Sequence, residues 1–416
     1  MSAFATAMPV VVLKLEHYGS LGIMRSLGRL GIPVHGVDGN AEASASASRF
    51  CRMMYVWDID SEPPQASVKK LQQIACEIGQ AILIPTSDET TLFVAEWRKE
   101  LEQAGFIFPK QDPILVRQLW DKKRMYFLAQ KHGIPTAETF FPQSRREVVE
   151  LIRRIEFPVM LKGINGGLLE RQTGKKMVLV HCARELLETY EAMEDPQQQN
   201  LMVQEYIPGG DDFVWMFNGY FNSQSECLLG FTGKKIRQNP VHTGMTSLGI
   251  CLHNSLVAET SKRFMKAIGY QGILDIGYRF DQRDGKYKVL DVNPRIGATF
   301  RLFVGQQGMD VARAMYLDLT GQPVPYDEIQ VGRKWFVEDK DLRSCLVYFN
   351  ERTLTVMQWI RSFRGVQEAG YFARDDMKPF FAMLKTHLKK KLLGVRSPKG
   401  ARLADVQIRK IANASG

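Results

Sequence analysis

Gly272 to Arg301 reads GILDIGYRFDQRDGKYKVLDVNPRIGATFR. The pattern predicts two strands joined at Asp284-Gly285 and closing on Asp291-Val292-Asn293-Pro294-Arg295. Acids, an amide and an arginine crowd one end of an otherwise apolar hairpin, where a purely structural strand has no use for them. Side chains alternate along a strand. Leu274, Ile276, Tyr278 and Phe280 therefore share one face, and Asp275, Gly277, Arg279 and Asp281 the other. On the second strand Leu290 and Val292 oppose Val289, Asp291 and Asn293. A two-residue Asp-Gly turn would put Asp291 and Asn293 on the greasy face. A three-residue loop, Arg283-Asp284-Gly285 with Gly285 left-handed, pairs Gly277 with Asp291 and Asp275 with Asn293. An unpaired buried carboxylate costs more than any turn preference, so the odd loop is expected. It gathers Asp275, Asp291 and Asn293 as hard oxygen donors of the kind Mg²⁺ takes alongside phosphates.

Working outward, 416 residues with 45% hydrophobic and 24% charged content imply a soluble globular chain of two or three domains. No apolar run is long enough to span a bilayer. The first residues, MSAFATAMPVVVLKLE, lack a basic lead and read as a first strand rather than a signal peptide. Six scattered cysteines without C-x-x-C spacing argue against a disulfide framework or structural zinc, and for a reducing cytoplasm. The net charge of +10 is uneven: from Lys385 onward nine Lys/Arg face one acid, Asp405. The high pI belongs to that tail.

Residues 1–110 alternate strand and helix patterns, the mark of a parallel sheet with helices on its faces. Apolar runs at Val10–Leu13, Ile32–Asp38, Met53–Trp57 and Ala81–Pro85 are the strands. Helices are expected from Ile23, from about Pro64 to Ile78, and after the cap Ser87. Gly19, Gly22 and Asp38 admit a dinucleotide reading with Asp38 on a ribose. The full G-x-G-x-x-G is absent, and the alternative is a Rossmann-like half-domain shaping a cleft.

Further on, a helix is expected after Gln111-Asp112-Pro113, running through Trp120-Asp121-Lys122-Lys123-Arg124, and Phe157-Pro158-Val159-Met160-Leu161-Lys162 is a strand whose one charge sits at its end. The glycine-bearing stretch Gly163–Gly174 follows. A cation at the end of a buried strand beside such a loop suits phosphate binding; a lysine merely reaching out of the sheet is the competing reading. Leu201 to Asp212, LMVQEYIPGGDD, is strand, connector and turn. Its connector can offer backbone groups to a flat heterocycle, and Asp211 or Asp212 can reach hydroxyls. After the glycine-ended helix at 311–321, residues 326–416 form a mixed extension with Trp335, Trp359 and Phe363 as core. Asp375-Asp376 is expected to cap a final helix to Gly394.

In this order and spacing, Asp121-Lys122, FPVMLK, VQEYIPGGDD and LDVNPR resemble the ATP-grasp superfamily over roughly residues 9–320. NPRIGATFRLF and WFVEDKDL are similar to bacterial ATP-grasp proteins labelled carboxylate–amine ligases. The resemblance implies a Rossmann-like domain (1–110), a two-lobed ATP-grasp domain (111–325) and the C-terminal extension (326–416), an α/β and α+β chain. It implies ATP and Mg²⁺ (or Mn²⁺) as cofactors. Lys122 and Lys162 would hold phosphates; Gln204, Glu205, Tyr206 and Ile207 would meet adenine, with Asp211 or Asp212 on the ribose. Asp291 and Asn293 match metal ligands, and Arg295 the arginine at the transferred phosphoryl group, with Arg295 and Lys162 as the catalytic pair. Two positions depart from the pattern. The usual first acidic ligand is replaced by Gly277, for which Asp275 stands one pleat away on the same face. The usual hinge glutamate is Gln204, whose amide oxygen still accepts a hydrogen bond.

The implied reaction activates a carboxylate as an acyl phosphate and joins it to an amine, releasing ADP and phosphate. Its rivals are a nucleotide-binding regulatory protein without turnover and an ATP-grasp enzyme with a non-amine acceptor. Arg279, Arg301, Arg237 and His242 are the candidates to meet the substrate carboxylate, and Gly163–Gly174 the candidate lid. Expected partners are small or carrier-linked carboxylates and amines, and a second copy in a homodimer. Nucleic acid is not expected, since the basic tail lacks interleaved aromatics. Residues 375–394 set Phe380, Phe381, Leu384, Leu388 and Leu392 against Lys385, Lys389, Lys390 and Lys391. Two readings follow: packing on the body with lysines in water, or peripheral contact with the inner membrane face.

Overall fold

The computed structural model describes residues 4–15 and 17–392. Short apolar runs build the first sheet: β1 (Val10–Leu13), β2 (Val34–Asp38), β3 (Cys51–Val56), β4 (Ala81–Pro85) and β5 (Phe106–Ile107). All pairs are parallel, in the order β3-β2-β1-β4-β5. Every residue of β1 is fully buried, as a strand covered on both faces must be. Helix Pro64–Ile78 and the Ser87 cap, whose hydroxyl accepts from Thr90 N, stand where the sequence puts them.

The glycine pair after β1 has a packing role. A Cβ on Gly19 would lie 2.8 Å from Ala298 Cα, and one on Gly22 2.8 Å from Arg301 Cγ. The two glycines let helix Tyr18–Gly28 lie directly on residues 298–301, just past the hairpin. Asp38 accepts from Leu15 N (2.5 Å) and Asn40 N (2.7 Å). It is spent on the backbone after β1 and after β2, and the dinucleotide alternative loses its ribose ligand.

The second sheet is antiparallel, in the order β6-β9-β7-β8: β6 (Thr139–Phe140), β7 (Val159–Gly163), β8 (Met177–Val180) and β9 (Leu201–Glu205). Val159, Leu161, Val180 and Val203 bury one face under helices Arg145–Ile152 and Ala183–Met193. Alternation then turns Met160, Lys162 and Gln204 to the other face. The Gly163–Gly174 stretch is corrected from loop to helix Gly166–Thr173. Asn165 caps it by accepting from Leu168 N, and Gly174 ends it at φ +75°, so its glycines bracket a helix.

The third sheet has seven strands: β10 (Val214–Phe221), β11 (Cys227–Asn239), β12 (Met245–Cys251), β13 (Gly272–Asp281), β14 (Lys286–Asn293), β15 (Lys334–Phe336) and β16 (Val366–Ala369). Their order is β14-β13-β10-β11-β12-β15-β16. The extension thus adds its two strands to the edge of a sheet begun by the middle of the chain.

Within the β13–β14 hairpin, Gly277 faces Asp291 and Asp275 faces Asn293, with Gly285 at φ +70°. The route to that register differs from the expected one. Asp281 pairs with Lys286, so the loop holds four residues, and a bulge at Leu290 shifts the register by one. The bulge also corrects the side of Val289, which pairs with Tyr278 and joins Ile276 and Val292 in the core. An extra residue in one strand resets the alternation beyond it.

The expected Asp375-Asp376 cap is corrected too. Helix Lys378–Leu392 begins after them, while Asp376 accepts from Arg25 Nε (3.0 Å), Ser48 Oγ (2.7 Å) and Arg49 N (2.9 Å). It ties the extension to the first sheet's layer. Met383 is buried, whereas Phe381, Leu384 and Leu388 are 59%, 39% and 60% exposed. Gly394, Arg396, Lys399, Arg402, Arg409 and Lys410 lie outside the described residues. No helix among the described residues is long and apolar enough to cross a membrane.

Candidate active site

The cleft forms where the second sheet's polar face and the third sheet's acid-bearing face meet loops at the carboxyl ends of β1 and β4. Strand order reverses between β1 and β4, the switch point where open α/β sheets take ligands.

Lys162 ends β7 and is buried, its Nζ donating to Gln204 Oε1 at 2.9 Å. Gln204 Nε2 donates in turn to Thr139 Oγ1 at 2.9 Å. Burial, with Lys122 nearby, holds the Lys162 ammonium down at about 8, against the pull of Asp291. Lys122 is the first residue of helix Lys122–Lys131, whose cap Asp121 accepts from Arg124 N. Its Nζ passes 3.3 Å from where a Cβ on Gly166 would stand, so the helix N-terminus at Gly166 lies directly beneath this ammonium. Burial lowers the Lys122 pKa while Asp291 raises it.

Asp291 acts on a third ammonium that the sequence reading missed. Lys235 on β11 is half-buried in the cleft, with desolvation lowering its pKa, opposed by Asp291, Asp275 and Asp211. Its Nζ donates to Gly244 O (2.8 Å) and Gln238 Oε1 (3.1 Å). Which face of β11 carries it depends on strand pairing, and no local pattern reveals that. Asp275 makes no hydrogen bond among the described residues. Burial first, then Asp291, push its carboxyl up to about 6, while Arg295 and Lys235 pull the other way. A side chain at Gly297 would collide with the Asp275 carboxylate, and a Cβ on Gly277 would lie 2.5 Å from Asp291 Oδ1. Both glycines leave room for carboxylates. Asn293 Nδ2 donates to Asp291 Oδ2 at 3.2 Å. Among the described residues no three His, Cys, Asp or Glu side chains converge, so the acidic set is two carboxylates and an amide.

Arg295 donates to Asp88 Oδ1 at 2.5 Å and to Ile296 O at 3.3 Å. Asp88 begins the helix after β4 and so brings the first domain to the site. His17 closes the same corner. Its Nδ1 accepts from Gly19 N (3.1 Å), leaving Nε2–H toward Thr86 O (3.4 Å). Burial and Arg295 hold its pKa down at about 4. The ring is a neutral imidazole near pH 7.

At the hinge, the Glu205 side chain accepts from Glu138 N (2.9 Å), Lys288 Nζ (2.8 Å) and Arg283 Nη2 (2.8 Å). That leaves the Tyr206–Ile207 backbone, rather than this carboxylate, to face the cleft. Arg279 donates to Ile207 O (2.7 Å) and Gly209 O (2.5 Å), so it holds the hinge. Asp211 accepts from Gln238 Nε2 (2.9 Å) and from the Tyr348 hydroxyl, with His242 Nδ1 3.2 Å away. Asp212 is exposed, with Lys234 Nζ 3.8 Å from its carboxylate. Arg237 is committed to Asp341, and Arg301 to Asp310 and Glu368. None of Arg279, Arg237, Arg301 and His242 is left for a substrate carboxylate. A cavity of about 490 Å³ lies at the hinge, lined by Phe157, Val159, Val203, Glu205, Tyr206 and Arg283.

Three ammonium groups and a guanidinium thus stand around two carboxylates, an arrangement with the chemistry to accept a polyanion together with a hard divalent cation. Residues 120–212 match the family described as RimK-like ATP-grasp domain. The D-aspartate ligase of Enterococcus faecium (strain Aus0004) is 27% identical over 257 residues, 59% of this chain and 58% of that protein. The chain therefore matches just over half the length of that relative. The structure of N5-carboxyaminoimidazole synthetase from Staphylococcus aureus complexed with ADP superposes with TM-score 0.63 at 13% identity, covering 85% of this chain and 88% of that one. The biotin carboxylase domain of Hydrogenobacter thermophilus 2-oxoglutarate carboxylase, in complex with MgADP, ADP and bicarbonate, gives 0.58 at 17%, covering 78% and 72%. Residues 120–212 are thus similar to an ATP-grasp domain of RimK type, and the chain is similar over 257 residues to a ligase of D-aspartate.

Proposed function

We propose that this protein is an ATP-dependent carboxylate–amine ligase, forming an acyl phosphate and then an amide with release of ADP and phosphate. The observation that carries this is the convergence of Lys122, Lys162, Lys235 and Arg295 on the Asp275–Asp291–Asn293 corner. Phosphoryl transfer asks mainly for positioning and charge neutralisation, and that is what these residues offer. The similarity to D-aspartate ligase supports an amine as acceptor.

In this reading Lys122, Lys162 and the N-terminus of helix Gly166–Thr173 hold the phosphates of ATP. The Tyr206–Ile207 backbone meets adenine beside Gln204, and Asp212 takes the ribose more readily than the committed Asp211. Arg295, fixed by Asp88, faces the charge that develops on the moving phosphoryl group. Asp275, Asp291 and Asn293 fit Mg²⁺: two like charges share a half-buried corner, and Asp275 has no side-chain donor among the described residues. The metal there would neutralise phosphate charge. The attacking carboxylate enters from the β1/β4 side, where neutral His17 adds no charge to compete with Arg295. Helix Gly166–Thr173, sitting over the phosphates, excludes water from an acyl phosphate.

The test is ADP release in the presence of Mg²⁺ with a panel of carboxylates, adding hydroxylamine to trap acyl phosphates as hydroxamates. Carboxylate-dependent hydroxamate is the expected result. ADP release indifferent to every carboxylate would favour the regulatory rival. The exposed Phe381, Leu384 and Leu388 beside Lys385 and Lys389 support peripheral contact with an anionic membrane as a second element of this reading. Sedimentation with phosphatidylglycerol vesicles tests it, and a chain carrying Phe381→Ser and Leu388→Ser, which keeps the Asp376 anchor, is expected to stay in the supernatant.

A further inference from the structure

Among the described residues, most of the large apolar side chains left exposed fall between Leu342 and Leu388, within the extension. Two of its helices carry several of them. Helix Lys378–Leu392 exposes Phe381, Leu384 and Leu388. Helix Glu338–Asn350 exposes Leu342 and Leu346, at 56% and 57%. The helices meet at His387, whose Nδ1 lies 3.2 Å from Arg343 Nη2 and whose Nε2 lies 3.2 Å from Asp339 Oδ2. Leu342 and Leu346 stand one turn apart on either side of Arg343, and Leu384 and Leu388 one turn apart on either side of His387. Both leucine pairs therefore flank one joint.

The charge around these leucines has one sign. Every acid between residues 342 and 392 is taken: Glu351 by His242 (3.0 Å), Glu368 by Arg301 and Arg333 (2.7 Å each), Asp375 by Arg29 (2.9 Å) and Asp376 by Arg25 (3.0 Å). Arg343, Lys378 and Lys385 are exposed and form no ion pair among the described residues. The opposite side of helix Glu338–Asn350 reaches the cleft. Asp341, Ser344 and Tyr348, each about one turn from the next, are buried. Asp341 holds Arg237, Ser344 Oγ donates to Gln238 O (2.6 Å), and the Tyr348 hydroxyl accepts from Gln238 N (3.3 Å) and donates to Asp211. Gln238 Oε1 accepts from Lys235 Nζ (3.1 Å), one of the three ammonium groups of the site. One helix thus stands between a basic, apolar surface and the cations of the cleft.

Resting on the membrane-contact element of the proposed function, we infer that helix Glu338–Asn350 joins helix Lys378–Leu392 in one surface that docks on anionic lipid, and that docking there is felt at the nucleotide cleft. Exposed leucines with a rim of unpaired bases match acyl chains beneath anionic headgroups. A second copy of this chain is disfavoured as the occupant, since it would bring the same positive side chains face to face. Insertion of Leu342 and Leu346 among acyl chains favours one setting of their helix, and Asp211, Gln238 and Lys235 on its inner side are reset with it. The coupling is reciprocal, so nucleotide changes the affinity for lipid by the same factor.

The experiment uses the full chain with vesicles of phosphatidylglycerol or of phosphatidylcholine, reading sedimentation and the affinity for the fluorescent nucleotide mant-ATP with Mg²⁺. Wild type should sediment with phosphatidylglycerol alone, and those vesicles should shift mant-ATP affinity about threefold or more. The double variant Leu342→Ser, Leu346→Ser should bind vesicles about tenfold more weakly and lose the shift. Leu256→Ser, equally exposed on helix Ser255–Ala267, should change neither. Tyr348→Phe should still sediment but lose the shift. If wild type sediments and the double variant does so equally, the inference fails, and membrane contact rests on helix Lys378–Leu392 alone. If wild type sediments but its mant-ATP affinity does not respond, the link to the cleft is overturned. Equal sedimentation with both lipids would overturn the choice of anionic lipid. Wild type that never sediments sinks the membrane reading itself. Dimerisation abolished by the double variant, without sedimentation, would give the surface to a second copy and overturn the inference.

Discussion

The two ends of the β13–β14 hairpin carry the same kind of residue in opposite states. At the loop end Asp281 is fully buried and saturated. Arg283 donates from Nε (2.8 Å), Nη2 (2.6 Å) and its backbone N (3.0 Å), and Lys288 Nζ lies 2.8 Å away. The hydrogen bonds from Arg283, above all, hold its carboxyl well below the usual carboxylate range. At the other end the half-buried Asp275 side chain has no hydrogen-bond partner among the described residues, and desolvation, then Asp291, push its carboxyl up to about 6. One acid finishes the hairpin; the other is held short of donors. Burial with partners marks a structural charge, and burial without them marks a charge kept for a ligand.

Substitutions that should break this contrast fall in a clear order. Asp291→Asn removes the charge that Lys122, Lys162, Lys235 and Arg295 all feel. It should lower Mg²⁺-dependent ADP release by about 10³-fold while the chain still folds, as circular dichroism would show. Asp281→Asn strands Arg283 and Lys288 beside a neutral group. Urea unfolding should show a loss of about 3 kcal/mol with turnover per folded molecule little changed. A large activity loss at unchanged stability would erase the distinction between the two ends.

Asp275→Asn should act with the opposite sign on stability. Removing a carboxylate raised by about two pH units relieves about 2–3 kcal/mol in the metal-free chain. Activity should still fall steeply, and higher Mg²⁺ should recover part of it. Wild-type kinetics in this variant would mean that the metal uses another ligand.

The two acids also titrate with opposite consequences. Asp275 has a folded pKa of about 6, above its ordinary 3.8. The folded chain therefore binds its proton more tightly, and the group's contribution to stability falls as pH rises from about 4 to 6. Asp281 has a folded pKa below its ordinary value. Its contribution is full above about pH 4 and is lost as pH falls. Unfolding of wild type and Asp275→Asn should thus diverge between pH 4 and 6, with the variant gaining. Parallel curves would contradict the assigned state of Asp275.

The smallest effect concerns Lys162. Its pKa of about 8 should rise when phosphates bind, so nucleotide binding near pH 8 should take up a fraction of a proton. Calorimetry in buffers of different ionisation enthalpy would detect it. Lys162→Met should abolish that uptake and weaken ATP about tenfold without unfolding the chain.

The hairpin also shows how far sequence reasoning reaches. Amphipathic alternation and the cost of an unpaired carboxylate were enough to pair Gly277 with Asp291 and Asp275 with Asn293. They were silent on the bulge at Leu290, because a longer loop plus a bulge yields the same register at the acid end. Asp211 reads as a ribose ligand in a turn, yet Gln238 and Tyr348, distant in sequence, occupy it. Arg237 and Arg301 look equally available until Asp341, Asp310 and Glu368 are seen beside them.

The sequence by itself determined the local periodicities: the apolar parallel strands, the charge at the end of β7, the hinge connector and the acid-tipped hairpin. These depend on neighbours two to four residues apart. Tertiary structure alone decided which charges remain free. It brought Lys235 into the cleft by strand pairing and fixed Arg295 through Asp88 from the first domain. Whether a polar group is satisfied depends on atoms hundreds of residues away, and that long-range accounting separates a structural charge from a site.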